Sequence, residues 1–434
     1  MKTTVILTVL LGMTAVSAYV EELDDTFMET KEETEIWLIE FYSPWCAFCK
    51  QLDPVWHSIG SELRSLGSPV RVGKSDATAH TGLAKEFKVR GYPAIMMLKN
   101  DRKYNYEGPR TKDGIMDFAN RVAGPDVRGL PSQQMFQHVI SRQPVMFVYI
   151  GASSPLKGNY TAAAKELIVH TYFFSAGRDI LPKDVNIPKL PAVAVFKEDT
   201  VLTYNEETDG DLKMWINRER FRSYSKIDSY TLYSMGNTGK MVALALVDDR
   251  ASWEKSRRYK NLVEQVALNH KELYSKDFYF GYMEGGDYVK GLVMGEVLMP
   301  SIIVLNLAND GYFLPPIVME TEQHLMDFLN GVLDKSFECQ GGNSVSQRVR
   351  RLVYEARNTL TPLFERAPMV GCVLLSIPVV GVAWICYMGY KWKVPSQGEK
   401  DGQEALPGAQ TEESPGKSGA IEQKKKSATE KKSD

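Results

Sequence analysis

Cysteine and histidine are scarce in this chain. Its 434 residues hold five cysteines and six histidines. Five cysteines are too few for a disulfide-stapled scaffold, and an odd number leaves at least one unpaired. No second Cys or His pair at matching spacing lies near Cys46 and Cys49, which argues against a tetrahedral zinc site there. An excess of one charge sign is missing as well. A formal net charge of -2 gives no reason to expect a nucleic-acid partner. Apolar and charged residues make up 44% and 24% of the chain, an ordinary globular balance. The length leaves room for three or four compact units.

Long uncharged apolar runs are confined to the two ends. Residues 1–18 carry Lys2, a short core over Val5–Leu11 and the small residues Ser17 and Ala18. That pattern is a secretory signal peptide, and its core is too short to span a bilayer. Cleavage after Ala18 delivers the mature chain to an oxidising compartment. Residues 369–390 hold no charge, and as a helix they are long enough to cross about 30 Å of hydrocarbon. Trp384, Tyr387, Tyr390 and Trp392 gather at the far end as interface aromatics do. Arg348, Arg350, Arg351, Arg357 and Arg366 precede the run, against Lys391 and Lys393 beyond it. That charge bias favours the opposite orientation, but a cleaved signal commits the preceding domains to translocation. The tail 391–434 is poor in large apolar residues, is expected to be disordered, and ends with Lys431 and Lys432 at the fourth and third positions from the C-terminus.

The chemistry concentrates in Phe41-Tyr42-Ser43-Pro44-Trp45-Cys46-Ala47-Phe48-Cys49-Lys50. It follows the apolar strand pattern Ile36–Ile39 and precedes a helical pattern that contains Pro54. Two cysteines with two residues between them at a helix start are close enough to form a disulfide. The first sulfur then sits at the positive end of the helix dipole. There a thiol pKa of about 8.5 can fall to roughly 3.5–7.5. A purely structural disulfide would constrain almost no chain, so redox exchange is the reading the spacing favours.

Residues 20–126 alternate β and α: strands over 32–41, 70–76, 94–98 and 103–106, and helices over 46–66, 82–87 and 112–122. Pro93 opens a strand and is a candidate cis proline, with an ordinary trans turn as the alternative. The motif around Cys46, together with Lys50, Pro54, Val89-Arg90-Gly91-Tyr92-Pro93 and Arg121, resembles the catalytic domain of protein disulfide isomerases, a thioredoxin fold. The late span and di-lysine tail make the chain similar to that family's membrane-anchored branch, in which redox-silent thioredoxin-like domains follow one catalytic domain. Two later stretches fit that plan. Apolar runs at 145–150 and 241–247 are each followed by a proline before another apolar run, Pro191 and Pro300, about one hundred residues apart. In place of the cysteines they carry Gly151-Ala152-Ser153-Ser154 and Asp248-Asp249-Arg250-Ala251.

The expected fold is therefore α/β, with tandem thioredoxin-like domains followed by a single transmembrane helix. The expected segments are a signal peptide (1–18), a catalytic domain (19–126), two silent domains (127–228 and 229–340), a juxtamembrane segment (341–368), the span (369–390) and the cytosolic tail (391–434). The resemblance implies Cys46 as an exposed nucleophile and Cys49 as the buried resolving thiol, paired as Cys46–Cys49 when oxidised. Glu40 is implied as the buried proton acceptor, with Lys74 as its charge partner. Arg121 is implied near the second cysteine, a solvent-facing helix charge being the alternative. Pro93, Tyr92 and Trp45 are implied as the client-binding surface. No cofactor and no metal are expected. The implied partners are cysteine-containing secretory or membrane proteins, membrane lipid through one span, and coat machinery through Lys431 and Lys432. The implied place is the endoplasmic reticulum membrane, single-pass type I, with the catalytic domain in the lumen. A membrane-tethered chaperone or adaptor with a weakly active cysteine pair is the other reading. Phe48 supports it, because Phe48 stands where an isomerase has a histidine that favours the thiolate. Its absence predicts a potential shifted from about -180 mV toward thioredoxin's roughly -270 mV. Asn159-Tyr160-Thr161 is a glycosylation sequon. Cys339 reads as a free thiol or a bridge to a partner. Cys372 and Cys386 fall within the span, and Cys386 is a candidate for acylation.

Overall fold

The computed structural model describes residues 19–393, apart from 184, 199, 249, 251, 252 and 296. The expected signal peptide and most of the expected tail, with Lys431 and Lys432, lie outside the described residues. Three sheets repeat one topology. In the first, the order is Glu21–Glu22, Val70–Asp76, Ile36–Tyr42, Ala94–Lys99 and Arg102–Asn105. Ile36–Tyr42 runs parallel to Val70–Asp76 and antiparallel to Ala94–Lys99. The second sheet has the order Thr200–Thr203, Ala192–Lys197, Val145–Ile150, Phe173–Ala176 and Arg128–Gly129. The third has the order Tyr224–Lys226, Phe278–Glu284, Met241–Val247, Ser301–Asn306, Gly311–Phe313 and Gln340–Gly341.

The central strands are buried on both faces because helices cover both. Val145–Ile150 is buried at every position, and Met241–Val247 at all but its first. Such strands read as continuous apolar runs rather than alternating ones. Each sheet accordingly separates two apolar clusters, one per face. In the first domain, the helix Ala47–Ser65 buries Cys49, Leu52, Trp56, Ile59 and Leu63, a three-and-four spacing that forms one stripe. Trp56 is fully buried and donates Nε1–H to the Gly73 carbonyl at 3.2 Å, tying the helix to the sheet. The peptide bonds before Pro93, Pro191 and Pro300 are all cis, so the three prolines stand at equivalent places before the antiparallel strand.

Three boundaries differ from the sequence reading. The first central strand begins at Ile36, not at 32. The segment Tyr224–Lys226 pairs with Phe278–Glu284 in the third sheet, so the third unit starts before residue 229. Gln340–Gly341 pairs with Gly311–Phe313, which carries that sheet past residue 340. The short edge strands escaped the pattern because two or three residues hold no periodicity.

All three sheets belong to one compact unit ending at Glu355, and residues from Ala356 belong to a second. Val345–Arg366 and Pro368–Lys393 are helices. The side chains of Pro368–Lys393, Cys372 among them, are described only in part. Among the described residues, no helix is long and apolar enough to cross a membrane.

Candidate active site

The site forms where the strand Ile36–Tyr42 hands over to the helix Ala47–Ser65. Cys46 is the N-cap residue of that helix, with extended backbone, and its Sγ accepts the Cys49 N–H at 3.2 Å. The sulfur thus takes the role that a Ser or Asp oxygen plays at other helix starts. Both cysteines are unpaired thiols here. Cys46 is only 7% exposed, against 4% for Cys49. This corrects the expected contrast between an exposed and a buried sulfur. Turning Sγ toward the first helical turn buries it, and what separates the two thiols is whether hydrogen bonding offsets burial or adds to it.

That difference is large. Burial opposes the Cys46 thiolate, but hydrogen bonds from the Cys49 thiol and from the N–H groups of Cys49 and Phe48, with the Arg110 charge, outweigh it. The Cys46 thiol is held below its ordinary value. Burial, with the hydrogen bond to Cys46 next, pushes Cys49 up to about 12. One sulfur is prepared to ionise and the other is prevented.

Glu40 lies on the preceding strand, 2% exposed. Burial, reinforced by the charge of Asp53, raises its carboxyl from an ordinary 4.5 to about 7, while Lys74 and Arg110 pull it down. Lys74 is the register partner of Glu40 on the neighbouring strand. Its ion pairs, however, go to Asp53 at 3.0 Å and Glu22 at 3.5 Å. Lys74 therefore influences Glu40 through space, with Asp53 between them in the charge network. Asp53 is a site residue that the sequence reading lacked.

Arg121 is not at the thiols, which corrects its expected role. It is buried, its Nε donates to the Ile168 carbonyl at 2.6 Å and its Nη2 to the Val169 carbonyl at 2.7 Å, and Nη1 pairs with Asp117. Its guanidinium also lies 5.5 Å from the Tyr172 ring centroid. These partners belong to the second domain or to its own helix turn, so Arg121 joins two domains. The arginine whose charge acts on the site is Arg110, whose Nη2 donates to the Pro93 carbonyl at 3.1 Å. Its charge acts on both Cys46 and Glu40.

Aromatic groups frame the mouth of the site. Trp45 is 72% and Phe48 63% exposed, far more than such side chains usually are. Trp45 meets Tyr92 edge to face, with centroids 6.1 Å apart, and Tyr92 leads directly into cis Pro93. Elsewhere, Asn159 is exposed on the helix Pro155–Leu167, and Cys339 and Cys386 are exposed and unpaired. The equivalents of the cysteine turn in the other two domains carry no sulfur. Among the described residues, no cluster of His, Cys, Asp and Glu could hold a metal.

A thioredoxin family model matches residues 18–121, and a thioredoxin-like domain model matches residues 150–331. The chain is 48% identical over 380 residues to protein disulfide-isomerase TMX3 of Xenopus laevis, covering 88% of this chain and 84% of that protein. It is 43% identical over 440 residues to protein disulfide-isomerase TMX3 of Homo sapiens, covering 98% and 96%. The chain belongs to the protein disulfide isomerase family. Protein disulfide-isomerase A4 of Homo sapiens is 36% identical over 146 residues, 33% of this chain and 23% of that protein. The disulfide isomerase domain of this chain is thus the one that holds Cys46 and Cys49, and two thioredoxin-like domains follow it.

Proposed function

We propose that this chain is a membrane-anchored thiol–disulfide oxidoreductase of the endoplasmic reticulum lumen, which exchanges disulfides with cysteine-containing client proteins through its Cys-Ala-Phe-Cys site. The opposed acidities of Cys46 and Cys49 at the helix start carry this reading. The Cys46 thiolate attacks one sulfur of a client disulfide. That bond breaks, a mixed disulfide forms, and the departing client thiolate takes up a proton. Cys49 then passes its proton to Glu40 and attacks the Cys46 sulfur. The mixed disulfide breaks, Cys46–Cys49 forms, and the second client thiol leaves reduced. If a client thiol attacks the mixed disulfide first, the client is isomerised and the dithiol is regenerated. A carboxyl near 7 suits a proton acceptor that must also give the proton back. Arg110 favours both anions in turn. Trp45, Tyr92 and Pro93 receive the client chain, and the exposed aromatics offer it apolar contact.

The membrane reading rests on the uncharged run 369–390, which lies within the helix Pro368–Lys393. As a helix at about 1.5 Å per residue that run matches the hydrocarbon thickness, and several of its side chains lie outside the described residues. With residues 1–18 as a cleaved signal, the thioredoxin-like domains face the lumen. Lys431 and Lys432 lie on the cytosolic side, where coat machinery reads them as a retrieval signal. Asn159 is a lumenal glycosylation site in this reading.

Replacing Cys49 with Ala tests the function. A working Cys46 then accumulates mixed disulfides with clients, visible as reductant-sensitive adducts that disappear when Cys46 is also replaced. A chain that traps nothing is a tethered chaperone or adaptor instead.

A further inference from the structure

A groove of about 1260 Å³ opens from cis Pro93 along the edge of the first domain. Ile95, Met96 and Tyr230 are among the residues that line it. Tyr230 belongs to the helix Ser229–Gly236, which packs in the third domain. The groove is continuous with the proposed exchange site, because Arg110 lines it and hydrogen-bonds the Pro93 carbonyl.

Its charge is one-sided. Lys85, Lys88, Arg90, Lys103 and Arg110 line it, against Glu86 and Glu107. Glu86 is already paired with Lys103. Lys85, Lys88 and Arg90 are exposed and make no ion pair among the described residues. A cleft lined by one sign of charge concentrates segments of the other sign and speeds their arrival. We propose that this groove selects clients whose cysteine is flanked on one side by an extended acidic segment, and that Tyr230 makes a redox-silent domain part of client recognition. This rests on the oxidoreductase reading, in which the client cysteine is held at Cys46 while its flank lies along the groove.

Three unpaired cations act together here, each worth little alone at an exposed site. A preference of about tenfold in kcat/KM at low salt is the expected size. The full-length chain in neutral detergent is given disulfide-bonded model peptides that differ only in a flank of four Asp, four Gln or four Lys, placed on either side of the cysteine. The expected result is that the Asp flank is favoured over the Lys flank about tenfold on one side of the cysteine. That ratio should fall toward one at 0.5 M salt, where screening is nearly complete. In K85E/K88E/R90E it should invert, and because a ratio is read, partial loss of folded protein does not move it. Tyr230→Ala should reduce the ratio through a higher KM for the Asp peptide. Equal kcat/KM for the three flanks overturns the proposal. If no peptide is exchanged, the oxidoreductase reading fails by itself, and the groove is decided by fluorescence anisotropy with cysteine-free versions of the same peptides. Tighter, salt-sensitive binding of the Asp peptide then upholds the groove, and equal binding overturns it.

Discussion

Glu40 shows how one side chain couples chemistry to stability. Its carboxyl has a pKa of about 7 in the folded chain, against about 4.3 in an unfolded one. The folded state therefore holds the proton more tightly. The sign of the linkage follows: stability falls as pH rises through this window, and the full penalty is present above about 7. Glu40→Gln removes the buried charge. Urea unfolding should show the variant more stable than wild type at pH 8, by up to about 3 kcal/mol, and nearly equal to it at pH 4. Its resolution of mixed disulfides should be slower at both. Phe48 belongs to the same scale. Only its backbone N–H aids Cys46, and its ring points away as an exposed group. Phe48→His should place a charge beside the thiolate and raise the potential by about 30 mV, as read by equilibration with glutathione. Cys46 and Cys49 stood out in the sequence because a closely spaced cysteine pair is a local anomaly, and Glu40 entered through the family resemblance. Arg110 did neither, since it lies in an ordinary turn and becomes relevant only when the chain brings it to Pro93. Arg121 misleads for the converse reason. A basic residue near a helix end fits a role at the thiols and a role at a domain joint equally well.

At the scale of elements, strand and helix positions were readable wherever one face or both had to be apolar. The helix Ala47–Ser65 and the strands Val70–Asp76 and Ala94–Lys99 match their patterns to within two residues. What the pattern could not give was the crossing of short edge strands over glycine. Ser225 lies beside Gly281 in register, and a Cβ on Gly281 would stand 2.3 Å from the Ser225 carbonyl oxygen. The neighbour is backbone and cannot turn aside. Gly281→Ala should therefore cost about 1–3 kcal/mol, seen as a lower midpoint for unfolding of the third domain. Gly73 holds the equivalent place in the first sheet, where a Cβ would lie 2.6 Å from Leu23 Cδ1. That neighbour is a flexible side chain, so Gly73→Ala should be the milder change.

Across residues 19–355, a catalytic domain must be held to domains that lack a cysteine pair. Arg121 does part of this, with two carbonyls of the second domain and Asp117 around one buried guanidinium. Tyr172 adds a hydrogen bond to Asp117 at 3.0 Å. Ile168 completes the joint by packing into the first domain's apolar cluster. Arg121→Ala leaves those buried carbonyls without a donor and should lower stability by about 3 kcal/mol. Limited proteolysis should then cut first near the joint. The pKa of Cys46 should not move, whereas Arg110→Met should raise it. The repeat of three domains was visible in the sequence through its three prolines, but the joints were not, because contacts between domains follow no period.

Thiol–disulfide exchange at this site requires Cys46 to be the readily ionised sulfur of the pair. The most direct measurement is the pH dependence of single-turnover exchange between the reduced full-length chain and a disulfide-bonded model peptide. The predicted rate rises with a midpoint below the 8.5 of an ordinary thiol, is abolished in Cys46→Ser, and stalls at a mixed disulfide in Cys49→Ala. A rate no faster than that of a double-serine control, or one that climbs only above 8.5, would contradict it.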